Sequence, residues 1–180
     1  MKREQACPFC RKPPAANDSE IDRRKMTRLE ANDPVAILRE GMVHNNKGEY
    51  IKAFEYFRKG ADLGDAEAHF KLSVMYHYGE GVEVDIEKEI YHLEIAAIAG
   101  HPVARQNLGV YEFNRRNFDR AVRHYIIAAT QGEDDSMKCL LNFFKFGLVQ
   151  KEDLDVALRA HKAAVDATKS PQREAAGMEK

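Results

Sequence analysis

Ala68-His69-Phe70-Lys71-Leu72-Ser73-Val74-Met75-Tyr76-His77-Tyr78-Gly79-Glu80-Gly81-Val82-Glu83-Val84-Asp85-Ile86-Glu87-Lys88 decides the fold. It opens as a helical block with small residues at Ala68 and Ser73. It turns through Tyr78–Asp85, and a second helical block starts at Ile86. Outward from this stretch the same signals recur. Ala36, Ala68, Ala104 and Ser136 follow at spacings of 32, 36 and 32 residues, and Gly41, Ser73 and Gly109 keep the same step. In the second block Ala53, Glu89, Ala121 and Ala157 are spaced 36, 32 and 36, with Phe57, Leu93, Tyr125 and His161 four positions on. Gly64, Gly100 and Gly132 close the units. Self-similarity at such a period is the mark of a repeat array.

Four units result: 33–64, 65–100, 101–132 and 133–170. Each divides into two helices. The second helices carry an apolar stripe at i, i+1, i+4 and i+8. The first helices carry small residues, which let two backbones approach closely. Asp33-Pro34 marks a helix start with an N-cap carboxylate and a proline at the first helical position, and His101-Pro102 repeats the proline. One helix pair cannot bury both faces, so neighbours must stack into an all-α solenoid. The 36-residue unit holds its four extra residues in the turn between helices, so the register survives.

The chain has 180 residues, 28 Lys+Arg against 29 Asp+Glu, and three cysteines. Three cysteines make no disulfide scaffold. The net charge of −1 hides an uneven split. Residues 1–28 hold eight basic and four acidic side chains, leaving twenty against twenty-five for the rest. The longest uncharged run, Ile95–Ala104, has ten residues, about half a bilayer span. Met1–Pro8 shows no apolar signal region. The expectation is an intracellular protein, cytoplasmic rather than nuclear, with no membrane and no nucleic-acid partner. The basic run Arg23, Arg24, Lys25 and Arg28 lacks interleaved aromatics and reads as an exposed connecting helix.

The pattern Ala68-x3-Leu72-Ser73-x2-Tyr76-x2-Gly79-x-Gly81-Val82-x2-Asp85-x2-Lys88 resembles the Sel-one-like repeat. The resemblance covers about residues 33–168. It is most specific in the second unit, and the fourth, with Leu141 for the small residue, resembles a divergent cap. A tetratricopeptide array keeps a steady period of about 34 and lacks the Gly-x-Gly-Val turn. The resemblance implies a right-handed solenoid of four antiparallel helix pairs. It also implies a non-enzymatic scaffold for a protein or peptide partner.

Cys7-Pro8-Phe9-Cys10 is the sharpest chemical motif. Such a turn aims two thiolates at one metal, a zinc half-site. The Cys-Pro-x-Cys-Arg-x-Pro wording resembles the last ligand pair of a RING finger, which implies Cys7 and Cys10 as final zinc ligands. Only six residues precede Cys7, and none is Cys or His. The eight-ligand set of a RING therefore cannot come from this chain. Three readings stay open: an inert remnant, a fragment of a RING-type ubiquitin ligase whose repeats recruit substrate, and a zinc shared between two chains. The expected organisation is a basic arm at 1–17, a connecting helix at 18–32, the array at 33–170 and a disordered tail at 171–180.

No catalytic motif is present, and no cofactor is expected apart from zinc at the cysteine pair. Histidines stand at 44, 69, 77, 92, 101, 124 and 161, with His92 and His124 at equivalent positions. Aromatic residues gather late in the first helices: Tyr76, Tyr78, Tyr111, Phe113, Phe143, Phe144 and Phe146. The expected partner contacts on that face are Tyr76, His77, Glu112 and Lys145.

Overall fold

The computed structural model describes residues 18–168. Among them are nine helices and no strand: α1 (Asp18–Glu30), α2 (Pro34–Asn46), α3 (Tyr50–Asp62), α4 (Ala66–Tyr78), α5 (Ile86–Ile98), α6 (Pro102–Asn114), α7 (Phe118–Thr130), α8 (Asp134–Lys145) and α9 (Lys151–Thr168). Short polar side chains fix where the first helices begin. The Asp33 carboxylate accepts from the Val35 and Ala36 amides at 3.0 and 3.3 Å, and Asp65 accepts from Ala68 N at 2.7 Å. At α6 the cap is an imidazole. His101 Nδ1 accepts from Ala104 N at 3.1 Å, so the proton sits on Nε2 and points at Glu67 Oε2, 3.0 Å away. That bond ties the start of α6 to the start of α4.

The small residues work as the spacing predicts. A Cβ on Gly41 would lie 2.6 Å from the Phe57 ring, and one on Gly109 would lie 2.9 Å from the Tyr125 ring. Each glycine therefore lets an aromatic of the second helix seat directly on the first helix. Gly81, in the longer turn of the second unit, has φ +73° and comes so close to the Tyr50 carbonyl that a Cβ would sit 2.7 Å from it. The Gly-x-Gly turn thus docks on the start of α3, in the preceding unit.

The core lies at the seams. Ala53, Phe57 and Ala61 of α3 bury with Ala68, Leu72 and Met75 of α4. Leu93, Ala96 and Ala97 of α5 bury with Ala104 and Leu108 of α6. Every unit thus depends on its neighbour, the condition that makes a solenoid stable only as a stack. At the C-terminal end the pattern changes. Helix α9 packs more extensively against α7 than against its own partner α8. Leu141 occupies the place of Gly41 and Gly109, so α9 cannot close onto α8 in the usual way, and Leu141 stays 39% exposed. His161, in the column of Phe57 and Tyr125, instead bonds the Ala129 carbonyl at 3.0 Å and Asp134 at 3.0 Å.

Candidate interaction surface

The four expected contact residues fall into two repeat columns. His77 and Lys145 are equivalent, as are Tyr76 and Glu112. One residue is about 100° of helix rotation, so the columns sit on different faces. The structure does not bring the four together.

The His77 face carries a pocket of about 370 Å³ between α4, the start of α5, and α6. Val74, Tyr78, Ile86 and Val110 supply apolar walls, and Asn107 and Asn114 supply amides. Neither asparagine side chain has a hydrogen-bond partner among the described residues. His77 Nδ1 lies 3.0 Å from Glu89 Oε2 on the rim. Met42, Val74 and Val110 share one column, and Met42 and Val110 are 42% and 41% exposed. Tyr78 and Phe146 share another and are 69% and 78% exposed. An apolar strip with free amides beside it therefore runs along the first helices. Lys145 is exposed, bonds Asn142 at 3.4 Å, and lies outside the pocket.

The other column turns inward. The Tyr76 ring stacks on His92 at 5.6 Å, meets Phe54 edge-on at 5.7 Å and has Lys88 Nζ 5.3 Å from its centre. Glu112 is only 7% exposed, accepts from Asn117 Nδ2 at 2.7 Å and pairs with Arg120 at 3.2 Å. The carboxylate of Glu112, expected as a partner contact, is thus engaged by the start of α7. His92 does not reach toward His124. Its Nδ1 lies 2.9 Å from His69 Nδ1 within the same unit. Burial, and then the neighbouring His69, push the His92 pKa down to about 4. The equivalent pair one unit on is Arg105 and His124. The step of 36 from His69 to Arg105 was the available signal for that pairing.

Cys139 is half-buried beside Tyr125, and burial raises its thiol pKa, so it is not poised as a nucleophile. Cys7 and Cys10 lie outside the described residues. Among the described residues no group of three His, Cys, Asp or Glu side chains could hold a metal ion, and no helix is long and apolar enough to cross a membrane.

The Sel1 repeat family model matches residues 47–65, 66–101 and 103–133. Its matched units run from α3 through α7, and the unit built on Leu141 and His161 falls outside the match. A Neisseria meningitidis uncharacterized protein is 29% identical, with 64% of this chain and 25% of that protein covered. Mouse DAP3-binding cell death enhancer 1 is 25% identical, covering 71% and 33%. This chain therefore spans a third or less of these curated relatives. Among solved structures, a Sel1 repeat protein from Oxalobacter formigenes has a TM-score of 0.68 at 26% identity, covering 83% of this chain and 64% of that one. A protective antigen of uropathogenic Escherichia coli with an SLR fold has a TM-score of 0.66 at 25% identity, covering 82% and 33%. Sel1-repeat proteins generally mediate protein–protein interaction, and the family is typically a non-enzymatic scaffold.

Proposed function

We propose that this chain is a protein-interaction scaffold that holds an extended segment of a partner along the first-helix face, seated at the pocket between α4 and α6. The observation that carries this reading is the pairing of an apolar floor, Val74 and Val110, with the partnerless amides of Asn107 and Asn114. A side-chain amide can donate to one backbone carbonyl and accept from one backbone N–H. It thus holds an extended chain while the floor takes its side chains. The mouse relative, whose name records binding to DAP3, supports a protein as the partner class. Affinity capture with the full chain tests the proposal. Partners retained by the wild type and by Glu112→Gln, but lost with Val74→Glu plus Val110→Glu, fit it. An unchanged partner set in the double variant overturns it, provided circular dichroism shows that variant folded.

A further inference from the structure

Two buried nitrogens stand out between α6 and α7. Arg105 Nε and His124 Nδ1 are both buried without a hydrogen-bond partner among the described residues. They occupy the same repeat positions as His69 and His92, which satisfy each other directly at 2.9 Å. The substitution of arginine for the first histidine changes the chemistry of the pair. Arg105 can only donate. Its Nη2 donates to the Ala97 carbonyl at 2.7 Å, which holds the guanidinium in place and leaves Nε turned elsewhere. Buried polar atoms are normally satisfied, and with His124 in its Nδ1–H tautomer both nitrogens are donors that one acceptor would serve.

The two side chains line a pocket of about 360 Å³ formed by α5, α6 and α7. Its charges are already sorted. Glu112 is engaged by Asn117 and Arg120, whereas Arg105 has no ion-pair partner among the described residues. Ile90, Ile98 and Leu108 add an apolar wall. Glu94 lies on the rim and forms no ion pair among the described residues, so it disfavours a ligand with more than one negative charge.

We propose that Arg105 and His124 form a binding site for a small organic monocarboxylic acid. A carboxylate oxygen accepts from Arg105 Nε–H and from the Nδ1–H tautomer of His124, and the hydrocarbon body lies against Ile90, Ile98 and Leu108. No bond is made or broken. The site meets the peptide-face pocket at Tyr111, which lines both, and its test reads Arg105 and His124 alone.

The test is a titration of the full chain with hexanoate at constant ionic strength, read by ¹⁵N NMR at Arg105 Nε and the His124 ring. Saturable shifts at both nitrogens are expected. Arg105→Gln should weaken binding by about tenfold or more, the value of one charge-assisted hydrogen bond. His124→Phe, which keeps the ring volume, gives the same reading if the arginine variant does not fold. Hexanol, which lacks the carboxylate, should leave both nitrogens unshifted. Shifts that follow chloride or hexanol equally overturn the site. So does a bound water seen at both nitrogens with no response to hexanoate. Tighter binding of N-acetylglutamate amide than of hexanoate overturns the organic-acid assignment in favour of a partner's acidic side chain.

Discussion

His69 Nδ1 faces His92 Nδ1 at 2.9 Å across the α4–α5 contact. One ring donates its Nδ1–H and the other accepts, and the Ala61 backbone favours the protonated form of His69. Protonating the accepting ring sets two donors against each other. Burial lowers both pKa values, His92 to about 4, while Asp62 and Asp65 partly counter it at His69. In the unfolded chain both rings titrate near 6.5. Between those values the unfolded state binds more protons, so stability is full above about pH 6.5 and falls as the pH drops toward 4. Allowing for partial solvent screening, the loss is about 2 kcal/mol. Urea midpoints measured at neutral and mildly acidic pH should show it, and His92→Leu should flatten the difference. An equal acid loss in that variant would place the sensitivity elsewhere.

Gly41 and Phe57 make a second coupled pair. Glycine to alanine inside a helix normally gains up to about 1 kcal/mol. Here the added methyl would lie 2.6 Å from a fully buried ring, so overpacking wins. Gly41→Ala should destabilise by about 1–3 kcal/mol. The second unit pairs Ser73 with Leu93 at the same positions. Gly41→Ser with Phe57→Leu should therefore recover part of the loss, and a double-mutant cycle should give a favourable coupling energy. Simple additivity would mean the two residues do not share the space.

The array was legible because its signals repeat. Gly41, Ser73 and Gly109, and the stripe through Phe57, Leu93 and Tyr125, announce their contacts three times over with small variations. The interaction surface was less legible, because a partner-facing residue and a core-facing one differ only by one step along the helix. Tyr76 and His77 are adjacent in sequence and point to different surroundings. Glu112, expected at a partner contact, is a charge in a helix, and such charges usually face solvent. Its burial depends on Asn117 and Arg120, which come from the following turn and helix. Asn107 and Asn114 carried no signal, since an asparagine without a partner shows itself only in the structure.

Caps should be unequal in value. Asp65 accepts at 2.7 Å from a buried first turn, and its helix presents His69, Leu72 and Met75 to the core. Asp65→Ala should cost about 1–2 kcal/mol. Asp33 also pairs with Arg28, but in the open, and the surface pair contributes little. Arg28→Ala should thus change stability by less than Asp65→Ala does. Thermal midpoints of the two variants, compared under one buffer, check the order; a larger loss for Arg28→Ala would contradict it.

The two ends of the array should respond differently to truncation. Helix α1 touches α2 lightly, chiefly through Lys25 and Glu40 at 3.3 Å. Helix α9 buries Leu154 and Ala157 in one cluster with Val122, Tyr125 and Leu140. Terminal repeats need a helix that covers the last apolar face, and α9 fills that role by lying across both α7 and α8. A chain beginning at Asn32 should lose less than about 1 kcal/mol, within the range of surface changes. A chain ending at Gln150 uncovers Tyr125 and Leu140 and should lose roughly 3–5 kcal/mol, comparable with deleting large core side chains. Size-exclusion chromatography should then show the C-terminal truncation associating through the uncovered face while the N-terminal one keeps the profile of the full chain. A monomeric and equally stable C-terminal truncation would show that α9 is not the cap.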